Sequence, residues 1–193
     1  DLCDLADRYD AWLMTDDAHG IGVLGNGRGS AAEAGVAGRI PLQMGTLSKA
    51  VGSYGGFICA AKPVIDLLIN RARSLIYATG LPPAAIAAAS TALDIIENDG
   101  ELVRIPMERA QRFTRKLGLP EPESTIVPLI TGTAERALAA SGLLAEEGFL
   151  VTAIRPPTVP EGTARLRFTF AAHHSDEDID RLVAAVQKTE ILP

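Results

Sequence analysis

Cysteine is scarce in this chain, with Cys3 and Cys59 the two thiols in 193 residues. Their spacing is no C-x-x-C pair and their number is no disulfide framework, so a reducing cytoplasm is the expected setting, with both thiols as packing residues. Positive charge is also short. Eighteen Lys and Arg face 24 Asp and Glu, a net charge of -6, which offers no long-range field to gather nucleic acid. No apolar run approaches the roughly 18 to 20 residues that span a bilayer, and the N-terminus lacks the basic-then-apolar order of a signal peptide. A soluble protein with neither nucleic acid nor membrane as partner is expected.

What is present suits a globular chain: 47% hydrophobic and 22% charged residues, enough for one large domain or two small ones. The first residue is Asp1, inside an apparent amphipathic helix with Leu2, Leu5, Ala6 and Tyr9 on one face. That helix runs into "AWLMT", which has the length of a buried parallel strand. A chain that opens this way reads as the rear half of a longer one.

Gly20 to Gly38 reads as a long loop with a helical turn near Ala31. Two further short strands, "PLQMGTL" and "GFICAA", are expected to flank the opening one, followed by a helix begun by Pro63 and running to about Arg73. After Pro82 and Pro83, "AAIAAASTALDIIEN" is a helix that stops at Asn98, Asp99 and Gly100. That stop is the expected boundary between residues 1–98, part of a large α/β domain, and 99–193, a small α+β domain. The small domain should hold helices over about 101–117 and 133–147, strands "STIVPLIT", "FLVTAI" and "ARLRFTF", and a last helix capped by Ser175.

"GIGVLG" formally fits the G-x-G-x-x-G dinucleotide fingerprint, but no periodic helix opens within it and no acid closes a second strand about 20 residues on. It reads as a turn. "TDDAHG" is more informative, because the carboxyl end of a parallel strand faces the crevice in which α/β proteins bind ligands. Asp16, Asp17 and His19 stand there, and strand alternation puts the two acids on opposite faces. Three candidate ligands with no second cluster give a metal site little support, and none is expected. The lysine of "GTLSKAVGSYGG" is not a P-loop lysine, since Ser48 rather than glycine precedes Lys49. Hydroxyls at Thr46 and Ser48, with Gly52, Gly55 and Gly56 allowing close backbone approach, suit a phosphate-bearing ligand beside a nucleophilic amine. An acid and a histidine, then a hydroxyl-flanked lysine about thirty residues on, are what pyridoxal phosphate requires: a Schiff-base amine and an acid for the pyridinium nitrogen. A nucleotide- or metal-binding α/β module with a merely exposed Lys49 is the alternative from another class.

"TDDAHGIGVLGNGRG", "GTLSKAVGSYGG", "IYATGLPP" and "IRPPTVPEGTARLRFTF" followed by "AAHHSDEDIDRL" together resemble the α-oxoamine synthases. These fold-type I pyridoxal phosphate enzymes condense an amino acid with an acyl-CoA and release carbon dioxide. The resemblance covers residues 1 to 188 and implies the C-terminal part of the cofactor-binding large domain, a mostly parallel sheet with helices, followed by the small domain. "DDAHG" with "RPPTVP" points to the branch that joins L-alanine to a pimeloyl thioester, on CoA or a carrier protein, in biotin synthesis. Another branch, a ligase, tends to carry serine where Ala18 stands, so another α-oxoamine synthase is the nearer alternative.

By the same resemblance, Lys49 would hold the cofactor and move the α-proton, Asp16 would pair with the pyridine nitrogen, and His19 would hydrogen-bond the phenolic oxygen. Thr46 would contact the phosphate, Thr79 would reach the phosphate of a neighbouring subunit in a homodimer, and Arg167 would take the amino-acid carboxylate. Arg165 alternates to the same side of its strand as Arg167. Residues 1–193 alone are expected to show little or no catalysis and poor solubility, because the front half of such a site lies outside them and the sheet would have exposed edges.

Overall fold

The computed structural model describes residues 1–189 and 192. Two compact units divide between Val103 and Arg104, five residues beyond the stop at Asn98.

The first unit opens with α1 (Leu2–Arg8), followed by β1 (Met14–Asp16), a single turn α2 (Ser30–Glu33), a 3-10 turn at Ala37–Arg39, β2 (Leu42–Thr46) and β3 (Gly56–Ala60). The strands form one sheet in the order β1-β2-β3, with β1 parallel to β2 and β2 antiparallel to β3, so the later strands do not flank the first: β2 is central because it pairs with β1 on one side and β3 on the other. Only Met14 to Asp16 of the expected strand "AWLMT" find partners in β2, so the strand starts later than its apolar residues do. Cys3, Ala31 and Ile40 make a small core with Leu13 and Val36 against it. The side of α1 that carries Cys3 is therefore the covered one. Leu2 and Tyr9, read from spacing as the buried face, are exposed. Arg39 fastens α1 by donating to Asp4 at 2.7 Å and Asp7 at 2.6 Å, and its guanidinium holds the Asp4 carboxyl below the usual range. Cys59 corrects a second expectation: it is exposed on β3, the edge strand, where only Phe57 and Ala60 are half-buried.

The helix begun by Pro63 is two pieces, α3 (Lys62–Arg71) and α4 (Arg73–Ile76), separated by an extended Ala72. Then comes α5 (Pro83–Asn98), whose last turn is followed at once by α6 (Gly100–Leu117). Pro106 sits within α6 and cannot donate to the carbonyl one turn back.

The second unit holds β4 (Ile126–Gly132), α7 (Ala134–Glu146), β5 (Thr152–Ile154), β6 (Ala164–Thr169) and α8 (Asp176–Lys188), with an antiparallel sheet in the order β4-β6-β5. Alternate residues of β6, Ala164, Leu166 and Phe168, are buried. Phe113 of α6 lies against Phe168 and Phe170, with ring centroids 4.7 and 5.1 Å away. β5 is shorter than "FLVTAI" suggested because Phe149 is used to end α7: its N–H donates to Leu144 O at 2.8 Å, around Gly148. Ser175 caps α8 as expected, in a reciprocal box with Asp178. The Ser175 bonds hold the Asp178 carboxyl below its ordinary range.

Candidate functional site

Two neighbouring parallel strands deliver most of the candidate residues. β1 and β2 pair with Asp16 opposite Met44, so Thr46 follows two positions further along the adjacent strand. Both carboxyl ends therefore open on the same end of the sheet, the position that α/β folds use for ligands. After Asp16 the chain turns: Asp16 Oδ1 accepts from the Ala18 N–H at 2.9 Å, and the Asp17 N–H adds one more bond to β2 through Met44 O at 2.8 Å. Asp16 and His19 are exposed, whereas Asp17 is 4% exposed. The alternation read from sequence separates the two acids, and the buried one accepts the Ser30 N–H at 2.8 Å.

Lys49 tops a self-closed loop. Leu47 N–H donates to Gly55 O at 2.9 Å, Ser53 N–H to Leu47 O at 2.7 Å, and Gly52 N–H to Lys49 O at 2.9 Å. From that loop Lys49 Nζ donates to Thr46 Oγ1 at 3.3 Å. Lys49 has no ion pair among the described residues, so a neutral hydroxyl is the group its ammonium meets.

The loop after β1 touches this one. Gly22 has φ +76, and a Cβ there would stand 2.7 Å from the Ala50 Cβ, so the "GIGVLG" turn lies directly against the residue after Lys49. Its glycine serves close approach between two protein loops, not a pyrophosphate. On the other side, Ser53 Oγ donates to Ala85 O at 2.7 Å in the first turn of α5, and a Cβ on Gly55 would meet Leu81 Cδ1 at 2.8 Å. The segment that carries Thr79 is thereby tied to the lysine loop two residues downstream, and Thr79 itself is exposed. Asp16, His19, Thr46, Lys49 and Thr79 all belong to the first unit.

Arg167 belongs to the second unit and is exposed on β6, opposite Thr152 of β5 and Pro128 of β4. Arg165, on the same strand face, is half-buried and its Nε donates to Thr163 O at 2.9 Å. One guanidinium is thus engaged locally. Among the described residues no group of three or more His, Cys, Asp or Glu side chains could hold a metal ion, and no helix is long and apolar enough to cross a membrane.

Sequence reasoning missed two supports of this geometry, the Asp17–Ser30 bond and the Ser53–Ala85 bond. Each spans a distance in sequence, 13 and 32 residues, that no local periodicity reports.

Residues 1–186 match the family described as aminotransferase class I and II. The chain belongs to the class I and II aminotransferase family. Within it, 8-amino-7-oxononanoate synthase of Methylocella silvestris is 61% identical over 186 residues, 96% of this chain and 53% of that protein. The enzyme of the same name from Granulibacter bethesdensis is 59% identical over 186 residues, 96% of this chain and 48% of its own length. Among solved structures, Sphingomonas wittichii serine palmitoyltransferase superposes with a TM-score of 0.91 at 29% identity, over 100% of this chain and 51% of that one. 8-Amino-7-oxononanoate synthase from Francisella tularensis gives 0.82 at 26% identity, over 97% of this chain and 57% of that one. The aminotransferase-family chain spans about half the length of the curated relatives it matches. Its fold class is the α/β fold-type I transferase expected from its motifs.

Proposed function

We propose that this chain is the C-terminal half of an 8-amino-7-oxononanoate synthase, which uses pyridoxal phosphate to condense L-alanine with a pimeloyl thioester, on CoA or a carrier protein, and releases carbon dioxide in biotin synthesis. The observation that carries the reading is the convergence of Asp16, His19, Thr46 and Lys49 on the carboxyl ends of two adjacent parallel strands. Identity of about 60% to proteins of that name supports this branch.

The donor set fits the cofactor: an amine for its aldehyde, an acid for its pyridine nitrogen and hydroxyls for its phosphate, all on one end of one sheet. When bound, pyridoxal phosphate supplies the ring that takes up the electron pair left at the amino-acid α-carbon. Lys49 would anchor the cofactor through its amine and, as a free amine, would take the α-proton on Nζ. Asp16 favours a protonated ring nitrogen by Coulomb attraction, and His19 hydrogen-bonds the phenolic oxygen. Thr46 Oγ1, which accepts from Lys49, has its own proton to donate to a phosphate oxygen. Arg167 offers the two-pronged guanidinium that a substrate carboxylate needs.

The working enzyme is read as a cytoplasmic homodimer, with Thr79 directed to the neighbouring subunit's phosphate. Exposed Tyr54, Leu75, Ile76 and Tyr77 around that segment support a covered surface there. The test is turnover by the full-length protein: L-alanine with a pimeloyl thioester should give 8-amino-7-oxononanoate by mass, with glycine, serine, acetyl and succinyl thioesters much poorer. Preference for serine or glycine would move the chain to another branch of the family.

A further inference from the structure

Asp17 is the buried carboxylate to which the proposed chemistry gives no task. It stands between two residues that have one, Asp16 and His19, and is 4% exposed. Its Oδ1 accepts the Ser30 N–H at 2.8 Å. Its own backbone carbonyl accepts the N–H groups of Gly20 at 3.0 Å and Ile21 at 3.1 Å, so it also closes the turn that presents His19.

The space around the carboxylate is as informative as its bonds. Gly20 has no positive φ, so its backbone does not require glycine. A Cβ there would overlap Asp17 Oδ1, which means the carboxylate has taken the volume a side chain would need. Gly29, whose φ of +97 does favour glycine, would place a Cβ 2.8 Å from Asp17 Oδ2. Asp17, Gly20, Gly29 and Ser30 therefore form one fitted unit. The final glycine of "DDAHG" answers the second aspartate.

We propose that Asp17 is a positioning residue: its buried carboxylate locks the Asp16–His19 turn onto Gly29 and Ser30, and so fixes where the Asp16 carboxylate and His19 imidazole stand relative to β2 and Lys49. The inference rests on the functional reading above. It also makes a claim independent of any cofactor, that Gly20 is glycine because of Asp17.

The test uses the full-length protein with Asp17→Ala, Asp17→Asn and Gly20→Ala, and the double variants Asp17→Ala/Gly20→Ala and Asp17→Asn/Gly20→Ala. In the cofactor-free protein, Asp17→Ala should speed hydrogen exchange in peptides covering residues 17–30, and Asp17→Asn, which keeps an acceptor of the same shape, should recover most of the protection. Gly20→Ala should lower the melting temperature markedly in the wild-type and Asp17→Asn backgrounds and much less in Asp17→Ala, where the Ser30 backbone N at 3.2 Å is the remaining close neighbour, a non-additivity expected of groups in direct contact. With cofactor bound, Asp17→Ala should shift the pH midpoint of the cofactor absorbance and lower kcat by about tenfold or more, the scale of a misplaced catalytic group, while Asp17→Asn restores both in large part.

Additive melting shifts or unchanged exchange would overturn the fitted unit. Faster exchange with a wild-type pH midpoint and kcat per bound cofactor would reduce Asp17 to a structural brace and overturn its role in the site. A wild-type protein with no covalent cofactor at Lys49 would sink the functional reading, and the positioning role with it, while the exchange and melting results still report on the unit itself.

Discussion

Lys49 Nζ and Thr46 Oγ1 lie 3.3 Å apart, one at the top of a self-closed loop and the other at the last residue of β2. The pairing stands the amine over the end of a strand whose parallel neighbour ends in Asp16, and it leaves the ammonium beside a hydroxyl that cannot neutralise it. Lys49 is itself exposed, so its amine is open to a ligand from outside the loop.

Thr46 should therefore serve cofactor retention. Thr46→Val removes the hydroxyl at nearly constant volume, and one hydrogen bond to a charged group is worth about 1.5–3 kcal/mol, so cofactor affinity in the full-length protein should fall by about tenfold to a hundredfold. Thr46→Ser should restore most of it. Titration of cofactor absorbance checks this, and an unchanged dissociation constant for Thr46→Val would remove Thr46 from the phosphate site.

Gly22 tests the contact between the two loops. Gly22→Val places a branched side chain at φ +76, against Ala50, and should cost about 1–3 kcal/mol in stability. It should also weaken cofactor binding, because the residue displaced is next to Lys49. Gly35→Ala, which also alters a positive φ but meets nothing within 4 Å, should reduce stability and leave cofactor affinity unaltered.

Arg167 should separate substrate from cofactor. Arg167→Ala should raise KM for L-alanine by tenfold or more, on the order of one lost charge-assisted pair, while the cofactor dissociation constant stays near wild type. Arg167→Lys should recover little, since an ammonium cannot match both carboxylate oxygens at once. Equal loss of both affinities would show that Arg167 has been misassigned.

The sequence made the existence of the strands legible because β1, β2 and the core face of β6 are marked by apolar runs or alternation, but not the order of the first sheet: an apolar run does not say which strand pairs on both sides, and β2 rather than β1 is central. The positions of Asp16, His19 and Lys49 at or just beyond the carboxyl ends of β1 and β2 follow from the same apolar runs. The sequence misjudged α1, where Leu2, Leu5 and Tyr9 form a helical stripe but Cys3 is the residue covered, because spacing identifies a face without saying what lies opposite it. Cys59 failed for a similar reason: thiols are usually buried, and the edge position of β3 depends on pairing that composition does not encode. Phe149 opens the expected strand "FLVTAI", yet its N–H is taken by the end of α7, a bond five residues back that apolar composition does not reveal. The bracing by Asp17 was invisible since its partner, Ser30, is 13 residues away.

His174 gives the second unit a pH dependence with a definite sign. Burial first, then the neighbouring His173, lowers its pKa from 6.5, and its Nδ1 accepts the Ala171 N–H at 3.2 Å in the neutral form. The unfolded chain therefore takes up the proton before the folded one does. Stability should be complete above about pH 7 and decline as pH falls through 6.5 toward the lower folded value, then level off. Urea midpoints between pH 8 and 5 check this, and His174→Gln should flatten the profile in that window.

Phe113 should dominate the core of the same unit. It is fully buried between Phe168 and Phe170, so Phe113→Ala should cost about 3–5 kcal/mol, read from chemical denaturation.

The central claim is that Lys49 carries pyridoxal phosphate, and borohydride reduction of the full-length protein followed by peptide mass mapping addresses it directly. The account predicts a reduced pyridoxyl adduct on the peptide containing Lys49, absent from Lys49→Ala. An adduct on another lysine, or none at all in a folded, cofactor-supplied protein, would contradict it.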